Sequence, residues 1–208
     1  MDSLTASDLN RLKLWLGNGS INIFGLPFSG KDTHGHRLAK IFDASLLGGG
    51  QILRNSKIPP HVKQLIDNGH LAPTEDYVDI VLPYLSRAEF ANRPMILSSV
   101  GRWHGEETGV LMAASESGHP VKAVIYLHLS EEVAHQRFLR SKDKGDRETR
   151  SDDAEMHLAT RFHEFHEKTL PVVEFYRQKG LLIELDGRPP VDDVTREMMH
   201  QLMNFAKP

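Results

Sequence analysis

A glycine-rich turn lies between an apolar run and a helical pattern near the start of the chain. The apolar run covers residues 21–24, the turn reads GLPFSGKDT over residues 25–33, and residues 31–42 place apolar side chains at helical spacing. Glycines let backbone N–H groups surround an anion, a helix N-terminus adds positive potential, and a lysine at that helix start reaches the outer groups of a phosphate chain. The order strand, turn, helix therefore predicts a phosphate-binding loop, with a glycine-rich turn of no function as the alternative.

Short apolar runs alternate with helical patterns along most of the chain. The runs cover residues 21–24, 44–47, 95–97, 121–127 and 181–185, and helical periodicity covers residues 31–42, 105–117, 131–139, 152–178 and 191–205. Strands alternating with helices predict an α/β fold with a parallel five-stranded sheet and helices on both faces. Ligands of such sheets bind beyond the carboxyl ends of the strands.

Composition excludes several classes of protein. The 208 residues carry a net charge of -3, which gives no overall field for nucleic acid or an anionic membrane. No cysteine is present, so disulfides and thiolate metal sites are excluded. No run approaches the ~20 apolar residues of a membrane span, and the N-terminus lacks the features of a signal peptide. We therefore expect a cytoplasmic protein that binds neither nucleic acid nor membrane.

Several segments, in order, resemble those of adenylate kinases and other nucleoside monophosphate kinases. The turn is similar to their Gly-x-Pro-Gly-x-Gly-Lys-Gly-Thr loop, and ILSSVGR (96–102) lies where they have a strand ending in Leu-Asp-Gly-Phe-Pro-Arg. The other matching segments are GGGQILRN (48–55), NGHLAPTEDYV (68–78), RSDDAEMHLATRF (150–162) and FHEKTLPVVEFYRQKGLLIELDG (165–187). The resemblance covers nearly all of the chain after residue 20.

This resemblance implies a three-layer P-loop NTPase fold with two small insertions. The expected divisions are an N-terminal helical extension (1–19), a kinase-like core (20–47, 86–139 and 151–208), an acceptor-binding insertion (48–85) and a short lid (140–150). It implies transfer of the γ-phosphoryl group of Mg-ATP to a nucleoside monophosphate by a monomer, with AMP as the first expected acceptor and CMP, UMP or GMP as alternatives.

The family's functional residues can be carried onto matching positions. Those expected to face the transferred group are Lys31, Arg102, Arg150 and Arg161. ATP-binding residues would be Gly25, Phe28, Ser29, Gly30, Lys31, Asp32, Thr33, Arg137 and Arg140, and acceptor-binding residues Arg54, Leu71, Arg102 and Glu106. Convergent arginines suit this chemistry, because phosphoryl transfer depends on positioning and on neutralising developing negative charge. Any one arginine taken alone could equally be a solvated surface charge.

Five positions stand out as departures from the family pattern. Ser98 replaces the aspartate that organises magnesium, and Asp32 follows the lysine, so we hypothesise that this carboxylate has moved to Asp32, with Thr33 as a second residue near Mg²⁺ through water. Asp32 as a simple helix cap is the alternative. Phe28 replaces a glycine, and Glu106 replaces the glutamine that reads adenine. Gly49 likewise stands where a base-contacting threonine is usual.

These departures leave two rival functions open. One is a nucleotide-binding protein of this fold with weakened catalysis, and the other is a P-loop kinase with a non-nucleotide acceptor. Asp152 and Asp153 fit two roles equally, as caps of the following helix or as partners of lid arginines. Twelve histidines show no metal-binding spacing.

Overall fold

Five parallel strands form one sheet in the computed structural model, which describes residues 5–144 and 155–206. The strands are β1 Ser20–Gly25, β2 Ser45–Gly48, β3 Met95–Ser98, β4 Val121–His128 and β5 Leu182–Asp186. Their order across the sheet is β2-β3-β1-β4-β5, so β1 is central and all six of its residues are buried. The predicted parallel five-stranded sheet is confirmed.

Helices cover both faces of the sheet. They are α1 Ala6–Leu16, α2 Lys31–Phe42, α3 Gly49–Asn55, α4 Pro60–Asp67, α5 Thr74–Val81, α6 Glu106–Glu116, α7 Glu131–Lys144, α8 Glu155–Glu164, α9 Leu170–Gln178 and α10 Val191–Phe205. Two 3-10 turns (Leu82–Ser86 and Ala88–Phe90) follow α5, and a π-helix (Phe165–Thr169) joins α8 to α9. The predicted three-layer α/β class is therefore correct.

Three apolar clusters hold these layers together. One joins α1, α2 and α10 to one sheet face, and a second joins α7, α8 and α9 to the other. The third lies between α3 to α6 and strands β2 and β3. Through Leu12 and Leu16, α1 belongs to the first cluster. The division of the chain into core, insertion and lid stays a prediction, and most of the predicted lid lies outside the described residues.

Buried Asn22 on β1 holds the loop that follows β3. Its side-chain amide donates to the Val100 carbonyl at 2.7 Å and its amide oxygen accepts from the Val100 N–H at 3.3 Å. This pair satisfies both polar groups of one buried residue, which would otherwise cost free energy. The loop after β3 is thereby fixed against the end of β1.

None of the helices in the described part of the chain has the length and apolar character needed to cross a membrane.

Candidate active site

The predicted phosphate-binding loop connects β1 to α2. A methyl group built on Gly25 would lie 2.5 Å from Ser29 Oγ and 2.9 Å from the Leu127 carbonyl oxygen, so only glycine fits there. Gly30 has a φ of 96° and immediately precedes α2, whose first residue is Lys31. The free N–H groups at the start of this helix are suited to an anion. The sequence therefore places lysine, glycine turn and helix start together.

A cleft of about 520 Å³ opens beside this loop at the carboxyl ends of β1, β2 and β3. It is lined by seven of the residues predicted as functional, namely Gly25, Lys31, Asp32, Arg54, Leu71, Arg102 and Arg161. These residues come from five separate segments of the chain. Four of them are cationic, so the cleft suits a ligand with several negative charges.

Arg54 and Arg102 meet above one backbone position. A methyl group built on Gly50 would lie 3.2 Å from Arg54 Nη1 and 3.6 Å from Arg102 Nη2. Both guanidinium groups thus border the same point at the start of α3. Two forked cations in this arrangement can bind the oxygens of one phosphate.

The backbone of Arg102 is held from both sides. The Glu106 carboxylate accepts from the N–H groups of Arg102 at 2.8 Å and Trp103 at 3.0 Å. The Thr169 hydroxyl donates to the Arg102 carbonyl at 2.9 Å. Burial raises the pKa of Glu106, while the two backbone N–H groups oppose that rise. The predicted base-reading residue Glu106 is 3% exposed and is not among the residues that line the cleft, so in this structure it positions Arg102.

Arg161 reaches the phosphate-binding loop from α8. Its Cζ lies 5.7 Å from the centre of the Phe28 ring, which packs edge to face on Phe138. Its stem crosses Gly69, where a methyl group would lie 3.1 Å from Arg161 Cγ. Phe28 itself has a φ of 64°, a conformation that is costly for this residue type. Arg161 therefore spans the phosphate-binding loop and the turn after α4.

Arg137 and Arg140, the predicted ATP-binding residues on α7, do not line the cleft. Arg137 donates to the carbonyls of Ser29 at 3.2 Å and Gly187 at 2.7 Å. Burial, and secondly the nearby charge of Arg140, lowers the pKa of Arg137. Arg137 thus supports the phosphate-binding loop from behind, and neither it nor exposed Arg140 lines the cleft.

Ser29 and Thr33, two further predicted residues, also lie apart from the cleft wall. Ser29 is buried and donates its backbone N–H to the Leu26 carbonyl at 3.0 Å. Thr33 is exposed on α2 and does not line the cleft. Arg150, like Asp152 and Asp153, lies outside the described residues.

The hydroxyl of Ser98 donates to the Asp32 carboxylate at 2.8 Å. Both side chains line the cleft, one at the end of β3 and the other in the first turn of α2. Asp32 therefore presents a carboxylate at the same strand end where the family pattern has one. Its orientation is set by the residue that replaces the family's aspartate.

Several cleft residues were not predicted from the sequence. Glu164, 5% exposed, accepts from His70 Nδ1 at 3.2 Å, from the Leu71 N–H at 3.1 Å and from Lys168 Nζ at 2.7 Å. These hydrogen bonds and the charge of Lys168 lower the pKa of Glu164, although its burial opposes them. Glu164 thus connects the segment after α4 to the core. No sequence signal identifies it, since its partners are up to 94 residues away. Gln51 and Asn55 were detectable as polar residues flanking Arg54 on one short helix.

Comparison with known proteins agrees with this geometry. The adenylate kinase family model matches residues 23–181. An adenylate kinase of Schistosoma mansoni is 30% identical over 191 residues, covering 89% of this chain and 93% of that protein. The adenylate kinase of Methylobacterium nodulans is 29% identical over 185 residues, covering 85% and 92%. That of Cyanothece is 26% identical over 183 residues, covering 86% and 92%. With its phosphate-binding loop and convergent arginines, the chain belongs to the adenylate kinase family.

Proposed function

We propose that the protein transfers the γ-phosphoryl group of Mg-ATP to a nucleoside monophosphate. The observation that carries this proposal is the single cleft in which Lys31 of the phosphate-binding loop faces Arg54, Arg102 and Arg161. Such a cleft can hold two anionic ligands whose phosphates meet. AMP is the reference acceptor, because the relatives carry the name adenylate kinase. A cytoplasmic location and a monomeric state stay predictions.

Each cation has a distinct proposed role. Lys31 holds the outer phosphates of ATP together with the N–H groups at the start of α2. Arg54 and Arg102, whose guanidinium groups converge above Gly50, hold the phosphate of the acceptor. Arg161 extends over the phosphate-binding loop and stabilises the negative charge that develops between ATP and the acceptor during transfer. Arg150 stays a predicted fifth cation.

The reaction we propose is an in-line displacement with no covalent enzyme intermediate. A phosphate oxygen of the acceptor attacks the γ-phosphorus, and the bond to the β,γ-bridging oxygen breaks. ADP leaves as the acceptor becomes a diphosphate. The protein contributes mainly position and fixed positive charge. Exclusion of water when the cleft closes makes transfer faster than hydrolysis.

Asp32 is the residue that we propose for magnesium. Oxygen ligands suit Mg²⁺, which usually takes one or two carboxylates together with substrate phosphates. In the described part of the chain, no group of three or more acidic or histidine side chains could hold a metal ion without such phosphates. When bound with ATP, Mg²⁺ would supply positive charge that offsets the negative charge of the phosphates. Asp32, held by Ser98, fits this requirement.

A coupled assay of diphosphate formation tests the proposed function. Wild type is given Mg-ATP with AMP, CMP, UMP, GMP or their deoxy forms. We expect turnover with at least one acceptor, and a loss of about 10³-fold in kcat for Lys31→Ala and Arg102→Ala. Arg196→Ala is the matched control, because Arg196 is an exposed residue that pairs with Asp193 on α10. Nucleotide binding without diphosphate formation from any acceptor would contradict the proposal and favour a non-catalytic nucleotide-binding protein.

Magnesium titration tests the role of Asp32 separately. We expect Asp32→Asn and Asp32→Gly to raise the Mg²⁺ concentration needed for half-maximal ATP binding, measured by calorimetry, by about tenfold. Asp193→Asn, which removes an exposed carboxylate elsewhere, is the control. Identical magnesium titrations of wild type and the Asp32 variants would reject this assignment.

A further inference from the structure

Two adjacent glycines at the start of α3 have different surroundings. Gly50 faces the guanidinium groups of Arg54 and Arg102. At Gly49, by contrast, a methyl group would lie 2.5 Å from Tyr77 Oη, 3.4 Å from Tyr77 Cε2 and 3.0 Å from the Ser99 carbonyl oxygen. Gly50 therefore lines the cleft beside the two arginines, while the space over Gly49 is filled by the hydroxyl end of the Tyr77 side chain.

Tyr77 is fixed in this place. It lies on α5, is 3% exposed and packs within the third apolar cluster, whose members include Leu53 and Val110. Its hydroxyl accepts from the Gly101 N–H at 2.8 Å, so the ring spans from α5 to the loop that carries Arg102. Burial raises the pKa of Tyr77, which keeps the phenol neutral. Displacing the ring would break this hydrogen bond and leave the N–H of Gly101 buried without a partner.

The wall behind Tyr77 is closed as well. Glu106 is buried and uses its carboxylate on the N–H groups of Arg102 and Trp103. Positions 49 and 106 are two of those at which the resemblance places contacts to the acceptor base; Leu71 is another residue it places at the acceptor. Tyr77 covers the first position, and at the second the Oε2 atom of Glu106 accepts two backbone hydrogen bonds, so protein groups occupy both.

The open space beside the two arginines is polar. Gln51 and Asn55 flank Arg54 on α3 and line the cleft, as do His70 and Leu71 from the segment after α4. Amide and imidazole groups can bind hydroxyl, carbonyl and amino groups of a small organic part. The acceptor's organic part must extend in this direction, because the side toward Gly49 is closed.

We infer that Tyr77 is a specificity-determining residue that excludes purine rings, so that the acceptor is a phosphate monoester without a purine base. Its organic part is either a pyrimidine nucleoside or a sugar without a base, since both present a phosphate together with small polar groups. This inference rests on the proposed phosphoryl transfer: a pyrimidine nucleotide would narrow the proposed acceptor, whereas a sugar phosphate without a base would replace it.

Acceptor selectivity of Tyr77 variants tests this inference. We measure kcat/KM with CMP and UMP, with AMP and GMP, and with ribose 5-phosphate, for wild type, Tyr77→Val and Tyr77→Phe. Valine removes the ring that covers Gly49, whereas phenylalanine loses the hydroxyl and its hydrogen bond to Gly101 but keeps the ring, whose Cε2 would lie 3.4 Å from a methyl group on Gly49. Circular dichroism and thermal unfolding confirm that each variant is folded.

We expect wild type to favour the acceptors without a purine by about tenfold or more. Tyr77→Val should lower that preference by about tenfold, through better use of AMP or GMP, while Tyr77→Phe keeps the wild-type ratio. A higher kcat/KM with CMP and UMP would identify a pyrimidine nucleotide as the acceptor. A higher kcat/KM with ribose 5-phosphate would identify a sugar phosphate without a base. Equal or better use of AMP by wild type would overturn the inference, as would an unchanged ratio in folded Tyr77→Val.

Binding measurements keep this test separate from the test of the proposed function. If no acceptor is turned over, the proposed function fails, but calorimetric binding of CMP and AMP still compares the two ring sizes in each protein. If Tyr77→Val does not fold, the wild-type preference in turnover and binding decides alone. Tighter binding of AMP than of CMP by wild type would then reject the exclusion of purines.

Discussion

The buried His34 makes the stability of this protein depend on pH. It lies on α2, three residues after Lys31, and is 3% exposed. Burial, and then the charges of Arg37 and Arg137, lower the pKa of His34 from 6.5 to about 4. Its Nδ1 lies 3.1 Å from Thr195 Oγ1, whose hydrogen is donated to the Val191 carbonyl at 2.8 Å. In the neutral ring the proton is therefore on Nδ1, which donates a hydrogen bond to Thr195 Oγ1.

The sign of the pH effect follows from where protons bind. In the unfolded chain a histidine takes up a proton below pH 6.5, whereas His34 in the folded protein stays neutral down to about pH 4. Between these values the unfolded state binds more protons, so the free energy of unfolding falls as pH falls. A tenfold change in proton affinity corresponds to about 1.4 kcal/mol, which gives a total loss of about 3 kcal/mol by pH 4.

Urea unfolding across this pH range measures the effect, with His34→Gln as the comparison. Glutamine keeps a polar side chain that can donate to Thr195 but does not titrate. From about pH 7 to pH 4, we expect the free energy of unfolding of wild type to fall by about 3 kcal/mol more than that of the variant. Carboxylates that titrate in the same range contribute equally to both proteins and cancel. Parallel pH profiles, or an NMR titration of His34 near pH 6.5, would refute the reasoning.

Three further substitutions test the framework around the cleft. Asn22→Ala should lower the free energy of unfolding in urea by about 2 kcal/mol, because both polar groups of Val100 lose a buried partner; an unchanged midpoint would contradict this. Arg161→Lys should lower kcat by about 10²-fold in a stopped-flow assay, since lysine keeps the charge but lacks the planar fork. Thr169→Val should lower kcat/KM for the acceptor by about tenfold by freeing the carbonyl of Arg102, with the KM for ATP unchanged; equal loss for both substrates would indicate a general effect on folding.

Much of the fold was predictable because local and global signals agree. The predicted helices at 31–42 and 191–205 match α2 and α10 to the residue, and each begins after a glycine or proline that stops the preceding segment. The predicted helix at 131–139 was too short, since α7 continues through the charged residues to Lys144. Arginine and lysine favour helices even where no apolar face marks them.

The long helix predicted at 152–178 is interrupted, and its first residues lie outside the described part of the chain. Within it, residues Phe165–Thr169 form a π-helix before α9. Pro171 lacks an N–H group and its ring would collide with the carbonyl four residues earlier, so the backbone widens there. The widened turn brings the Thr169 hydroxyl to the Arg102 carbonyl. A periodicity argument cannot detect such a change of helix type.

The cations of the site were predictable from the sequence, but the contacts that hold the surrounding loops in place were not. Spacing and resemblance indicated Lys31, Arg54 and Arg102, all of which line the cleft. They did not indicate that Arg137 would bind the carbonyls of two separate loops, because such contacts depend on how those loops approach each other. The covering of Gly49 by Tyr77 likewise arises only when α3 and α5 pack together.

Backbone strain marks the same region. Phe28 and Ser99 have φ values of 64° and 51° at positions where the family pattern has glycine. Each such conformation costs of order 1–3 kcal/mol for a residue with a side chain, so it persists only where the surroundings enforce it. The Phe28 side chain packs on Phe138 and lies beneath Arg161, and the Ser99 carbonyl lies against the Gly49 position that Tyr77 covers. The two strained residues therefore border an aromatic side chain in the phosphate-binding loop and the position at the start of α3 that Tyr77 covers.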